Sequence, residues 1–402
     1  MDIDEKIVKK LISNYGDAFY LLDSKQFKKN FIELKREFSK IYPKFNIAYS
    51  YKTNYIPEIC KIVNELGGYA EVVSEMELEL AKKCGVLSEN IIWNGPIKNP
   101  QKEYEFLKEG GGVNLDSLEE ALLINEFAKK VDRPIRIGIR CNYDVKDGII
   151  SRFGLDVQSD DFKKVMEILL QNDNIHFVNF QCHFAKREIE YWKNRVDGML
   201  DIIEMTGIVP ERIDLGGGLF GKMEVSLKNQ FSSYIPDYSE YAKVIATRFK
   251  NYFSGKQMVP ELIIEPGSAL IGDCMKFAST VKSIKKIRGK YVASVLGSQK
   301  NISMTGVNPP IQIIQLGKKR KKYINIDLVG YTCIENDVIY KDYTGELALD
   351  DVIIIGNCGS YSLVMKPPFI LPNFPVLDID EGKIRIVKRK EEFEDIFQTY
   401  VM

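Results

Sequence analysis

The sequence predicts an α/β chain: a (β/α)8 TIM-like barrel over residues 25–270, plus a C-terminal antiparallel β-domain that residues 271–402 form with 1–24. Two observations carry this. Eight short apolar runs alternate with longer amphipathic stretches, the pattern of a parallel barrel, and the span fits the usual size of roughly 250 residues. Past Ala269 strand-like runs follow one another without long helices between them. The chain of 402 residues is also too long for one ordinary core.

Taken in order, Met1 to Lys10 reads as an amphipathic helix with its acidic residues first, and Phe19 to Leu22 as a strand that joins the β-domain. The barrel strands are Asn46 to Tyr51, Tyr69 to Val73, Ile91 to Asn94, Val113 to Asp116, Ile135 to Cys141, Phe177 to His183, Arg212 to Gly216 and Leu262 to Glu265. Glu75 to Cys84, Leu118 to Lys130, Asp161 to Gln171 and Tyr191 to Thr206 are helices between them. The β-domain strands are Lys276 to Lys282, Lys290 to Leu296, Ile311 to Leu316, Tyr323 to Val329, Asp351 to Gly356 and Lys383 to Lys388. Lys318 to Lys322, the one basic run, is expected to form a solvated turn between two of them.

Composition narrows the function. The 56 basic residues cancel the 56 acidic ones, so there is no basic field for nucleic acid or an anionic membrane. No segment reaches the apolar length of a membrane span, and the N-terminus lacks the continuous apolar core of a signal peptide. Seven cysteines without a CxxC pair argue for free thiols and a cytoplasmic location. With only His176 and His183 present, no metal site is expected.

Active sites in such barrels gather at the C-terminal ends of the strands. Those ends carry Lys52, Glu71, His183, Gly216-Gly217-Gly218 and Glu265. A lone lysine there is usually a solvated loop residue, but a desolvated one forms a Schiff base with an aldehyde. Three glycines allow close backbone approach, so their amides can surround a phosphate, and the turn after strand 7 is the recurrent phosphate position of these barrels. Lysine plus phosphate suggests pyridoxal 5'-phosphate, which needs a partner at its pyridine nitrogen. Glu265 is the candidate, and His183 could stack on the ring.

The motifs Tyr49-x-x-Lys52-x-Asn54, Glu71-Val-Val-Ser74-x-x-Glu77, Ser151-Arg-Phe-Gly154, His183-Phe184, Asp214-Leu-Gly-Gly-Gly218, Glu265-Pro-Gly267, Cys333-x-x-x-Asp337 and Gly359-Ser-Tyr361 occur in one order. Together they resemble the fold-type III PLP-dependent decarboxylases, the group of diaminopimelate, ornithine and arginine decarboxylases, over nearly the whole chain. The resemblance implies that Lys52 holds the cofactor with Glu71 nearby, that His183 stacks on the ring and that Glu265 binds the pyridine nitrogen. It implies that the glycine loop and Tyr361 hold the phosphate. It further implies a homodimer with shared active sites, in which Cys333 crosses to the partner subunit's site and protonates the product carbanion.

The departures bear on substrate. The family's His-x-Gly-Ser reads His183-Phe184-Ala185-Lys186, its Glu-Pro-Gly-Arg reads Glu265-Pro266-Gly267-Ser268, its Cys followed by an acid reads Cys333-Ile334, and its Val-Asp-x-Gly reads Val295-Leu296-Gly297. The lost arginine was a bidentate anion fork that serine cannot replace. Lys186 could hold the phosphate as a point charge or reach the substrate; Ser268 and Glu335 are further candidate substrate contacts. The expected reaction is decarboxylation of an amino acid other than diaminopimelate or a simple basic one, carrying a carboxylate or a larger conjugated group. A racemase or epimerase, reprotonating the same carbanion without losing CO2, is the alternative. A non-catalytic PLP-binding homologue is the third reading, kept open by the four departures. Cys358 is assigned to packing.

Overall fold

The computed structural model describes residues 3–303, 307–380 and 383–401. It divides into two compact units, Lys28–Phe220 with Ser233–Ala269, and Met1–Phe27 with Gly221–Ser232 and Leu270–Met402.

The first unit is a closed barrel of eight parallel strands: β1 (Phe45–Ser50), β2 (Tyr69–Val72), β3 (Ile91–Trp93), β4 (Gly112–Leu115), β5 (Ile135–Asn142), β6 (Ile175–Gln181), β7 (Arg212–Asp214) and β8 (Glu261–Ile264). Each pairs with its neighbours in sequence, and the Ile264–Ile47 register between β8 and β1 closes the ring. Helices return the chain between strands, and their starts are written locally. Ser74, Ser117 and Ser159 accept the amides of Glu77, Glu120 and Phe162, and Asp237 forms a full capping box with Glu240. Ala48, Ile92 and Ile263 pack together in the barrel interior with Tyr69 against them. The next inward positions toward the strand ends are polar: Ser50, Glu71, Asn94 and Glu265. An apolar layer thus supports a polar floor at the end of the barrel where chemistry is expected.

The second unit holds a nine-stranded sheet. Its long strand Met275–Ile287 pairs antiparallel with Ala18–Leu22, Lys290–Val295 and Val352–Ile355. The sheet is predominantly antiparallel. Two pairings are parallel, Ala18–Leu22 with Val376–Asp380 and Lys290–Val295 with Lys321–Val329. The helix Glu5–Tyr15 buries Val8 and Leu11 against Phe19, Leu21, Val352 and Leu377 of the sheet.

Three details differ from the sequence reading. The strands Val338–Leu347 and Val376–Asp380 were not expected. The first contains Asp342 at φ +56° and a glycine, both unfavourable strand signals. The segment 221–232, inside the span the sequence predicts as barrel, belongs to the second unit, where the Gln230 side chain exchanges hydrogen bonds with the Asn308 backbone. The basic turn is not wholly solvated, because Arg320 makes a bidentate pair with the fully buried Asp351.

Candidate active site

Lys52 lies in a single 3-10 turn directly after β1, and its Nζ sits 2.6 Å from Glu71 Oε2 at the end of β2. Glu71 is buried, and Ser50 Oγ donates to the same oxygen at 2.5 Å. Asn94, just past β3, links two carboxylates: its Nδ2 donates to Glu71 Oε1 at 3.0 Å and to Glu265 Oε1 at 2.6 Å. Gln181 Nε2 also donates to Glu265 Oε1, at 3.2 Å. Asn94 Oδ1 accepts from Asn114 Nδ2 at 2.7 Å, and Asn114 Oδ1 from Asn179 Nδ2 at 3.0 Å. A chain of amides therefore crosses the barrel interior and ends on the carboxylates.

The state of Glu265 follows from its neighbours. Burial by itself raises its carboxyl, but the positive charges of Lys52 and Arg140 pull it the other way, and the net direction is down. Asp214 takes the opposite part: burial first, then the charge of Glu265, push it well above the ordinary range. Of two adjacent buried acids, Asp214 keeps the proton and Glu265 stays ionised. Asp214 Oδ1 also fixes the turn after β7 by accepting from Gly216 N at 2.9 Å.

His183 lies just past β6. Its Nδ1 accepts the Gly217 amide at 3.0 Å, so that nitrogen carries no proton, and the Glu265 Oε2 atom stands 3.7 Å away. Burial lowers the His183 pKa, favouring the neutral ring. The glycine loop presses on both neighbours. A Cβ on Gly216, at φ +68°, would stand 2.2 Å from Cys182 O, and one on Gly217 would stand 2.5 Å from Glu265 O.

Lys52, Glu71, His183, Gly216, Gly217, Gly218 and Glu265 are thus brought together at one end of the barrel. Lys186 and Ser268 belong to the same unit: Lys186 Nζ lies 5.8 Å from the centre of the Tyr191 ring, and Ser268 opens the short helix Ser268–Ile271. Cys333, Glu335 and Tyr361 belong to the other unit. Cys333 and Glu335 are exposed in the loop 330–337. The buried Asp337 ties that loop down, accepting from Ser298 Oγ at 2.9 Å, Gln299 N at 2.8 Å and Thr332 Oγ1 at 2.6 Å. Tyr361 has φ +61°, a strained backbone for a non-glycine residue. Cys358 is fully buried, and burial pushes its thiol far up, as suits a packing residue.

Sequence reasoning assigned no role to Asn94, Asn114, Asn179, Gln181 or Arg195. One signal was available: Asn179 and Gln181 are two apart on a strand whose intervening and preceding residues Phe180, Val178 and Phe177 are apolar, which puts both on one face.

The chain is similar to the diaminopimelate decarboxylase of Aquifex aeolicus, 25% identical across 97% of this chain and 93% of that protein. It is equally similar to the L-glutamyl-[BtrI acyl-carrier protein] decarboxylase of Niallia circulans, 26% identical across 99% and 97%. Among solved structures, the diaminopimelate decarboxylase of M. jannaschii shares the fold with a TM-score of 0.87 at 23% identity, covering 98% of this chain and 94% of that one. The arginine decarboxylase of Paramecium bursaria Chlorella virus gives a TM-score of 0.75 at 19% identity, over 93% and 100%. Residues 26–272 match the family described as pyridoxal-dependent decarboxylase, pyridoxal binding domain. That match spans more than half of the chain, which therefore belongs to the pyridoxal-dependent decarboxylases: it is a carboxy-lyase that acts on an amino acid with pyridoxal phosphate chemistry.

Proposed function

We propose that this chain decarboxylates an amino acid that is neither diaminopimelate nor a simple basic amino acid, and that the substrate is presented as a larger conjugate. The observation that carries the reading is the cluster at the barrel end, where Lys52, Glu71 and an ionised Glu265 are joined through Asn94.

The residues fit pyridoxal phosphate. Lys52 would carry it through its amine, with Glu71 and Ser50 orienting the nitrogen. Glu265, kept ionised by its surroundings, would hold a proton at the pyridine nitrogen, and the neutral His183 ring would cover one face. The glycine loop and Tyr361 would take the phosphate. When bound, the cofactor supplies an electron sink for the charge left at the substrate α-carbon as CO2 departs. Cys333 Sγ, from the partner of a homodimer, would then deliver a proton to that carbon.

The substrate restriction rests on losses. By the family resemblance, Ser268 stands where an arginine fork is expected and Ile334 where an acid for a distal amine is expected. The relative named for a carrier-bound glutamyl substrate matches this chain across its whole length as well as the diaminopimelate decarboxylases do. An acyl-linked amino acid needs neither anchor, because its distal group is already joined to the carrier.

The test is an absorbance spectrum of the purified protein beside Lys52→Ala, then CO2 release from free diaminopimelate, lysine, ornithine, arginine and glutamate, and from a glutamyl thioester. A visible band lost in Lys52→Ala and turnover only of the thioester is the expected result. Fast release of CO2 from free diaminopimelate would refute the substrate assignment, and full turnover in Cys333→Ala would remove that residue from the chemistry.

A further inference from the structure

Arg195, on the helix Ile189–Thr206, is fully buried, and no carboxylate lies within 4 Å of it among the described residues. An isolated buried charge is expensive unless something compensates it. Here the compensation is four backbone carbonyls. Nη1 donates to Leu215 O at 3.1 Å and Gly217 O at 2.6 Å; Nη2 donates to Phe184 O at 2.9 Å and Lys186 O at 3.4 Å. Nε has no hydrogen-bond partner among the described residues. The guanidinium lies 3.9 Å from the centre of the Trp192 ring, and Trp192 Nε1 donates to Gly218 O at 3.0 Å. One helix therefore draws the carbonyls of residues 215, 217 and 218 toward itself, and pins the 184–186 loop to the glycine loop.

Peptide planarity gives this arrangement a consequence. In a trans peptide the carbonyl of one residue and the amide of the next point in opposite directions. With the carbonyls of Gly217 and Gly218 turned to Arg195 and Trp192, the amides of Gly218 and Leu219 must face the other way. The neighbouring peptides obey the same geometry with partners already in place: Gly216 N goes to Asp214 and Gly217 N to His183. Gly218 N and Leu219 N, by contrast, have no hydrogen-bond partner among the described residues. Two successive free amides backed by a buried cation form an anion cradle.

We infer that Arg195 and Trp192 are the positioning residues of the phosphate cup: together they turn the Gly218 and Leu219 amides toward the cofactor phosphate, and Arg195 supplies the buried positive charge behind them. This rests on the cofactor reading above, and goes beyond it by assigning a function to a helix that carries none of the resemblance's site residues. Arg195 also holds Lys186 by its backbone, so the phosphate contact given up with the family's serine hydroxyl is met from beneath the loop, independently of where the Lys186 side chain points.

The experiment compares two ligands that differ only in the phosphate. Apo protein is titrated with pyridoxal phosphate and with pyridoxal, read by the visible band and by protein fluorescence, for wild type, Arg195→Gln and Trp192→Phe, with melting curves alongside. Wild type should prefer the phosphate ester. Arg195→Gln should lower that preference by about 100-fold and Trp192→Phe by about 10-fold, with pyridoxal affinity unchanged, because each lost charge-assisted or neutral bond acts only on the phosphate half. Equal weakening of both ligands would mean a merely structural role and overturn the inference, as would an unchanged preference. If Arg195→Gln fails to fold, the Trp192→Phe ratio decides alone. A wild-type protein that takes up neither ligand would refute the cofactor reading itself.

Discussion

Glu77 offers a test of the electrostatics beneath Lys52. It sits in the first turn of the helix Glu75–Lys83, 4% exposed, with its Oε2 accepting Val73 N at 2.8 Å. Burial raises its pKa from 4.5 to about 7; the charge of Glu71 adds to this, while the Val73 amide and Lys52 oppose it. Folding thus favours the protonated acid. The stability it contributes is fully present below about pH 4.5, drains away as the pH rises from there through 7, and is gone above. The span of about 2.5 units corresponds to about 3 kcal/mol at 1.36 kcal/mol per unit. Glu77→Gln is neutral at every pH and keeps an oxygen for the Val73 amide. It should therefore match wild type near pH 4.5 and exceed it by about 3 kcal/mol at pH 8. Should the barrel unit melt by itself, the gap corresponds to a Tm difference of about 6 °C, since unfolding entropy is about 2.1 cal/mol/K per residue. The assay is paired thermal melts from pH 4.5 to 8.5, in which other titrating groups cancel between the two proteins. Adding Glu71→Gln to both should shrink the gap, because Glu71 is part of what raises Glu77. A Tm offset that does not change with pH would refute the reasoning.

Other substitutions probe neighbouring parts. Asn94→Ala strands buried atoms of Glu71 and Asn114, removes one of the two amide donors to Glu265, and should cost about 3 kcal/mol, with weaker retention of pyridoxal phosphate; an unchanged melt would contradict the amide chain. Gly216→Ala adds both a positive-φ penalty and a Cβ 2.2 Å from Cys182 O, so cofactor retention should be lost with at least about 2 kcal/mol of stability, measured by gel-filtered absorbance and melting. Asp337→Ala frees the loop that bears Cys333. Hydrogen exchange over 330–337 should accelerate and turnover fall while the cofactor spectrum stays the same; unchanged exchange would show that the loop is held elsewhere.

Much of this protein is legible along the chain because it is local. Strand–helix alternation, serine and aspartate caps and a glycine triplet are each set by neighbouring residues, so the barrel, its strand ends and Lys52, Glu71, His183 and Glu265 can be found in the sequence. The buried Trp192 and Arg195 read, by contrast, as ordinary members of an amphipathic helix. Whether an arginine is a solvated surface charge or a buried clamp depends on which carbonyls meet it, and those belong to residues 184–186 and 215–217. The same holds for Asn94, Asn114 and Asn179: each looks like a turn or strand-end residue alone, and they form a chain only once barrel closure brings three strands into register. Protonation of Asp214 rather than Glu265 was likewise beyond the sequence, since two identical functional groups are distinguished only by the charges and donors around each. The sequence by itself determined the fold and the types of side chain at the strand ends, because periodicity and local hydrogen bonding specify them. The tertiary structure decided which of those groups are charged, which amides stay free and which arginine backs them, because burial and the orientation of distant peptides exist only in the folded chain.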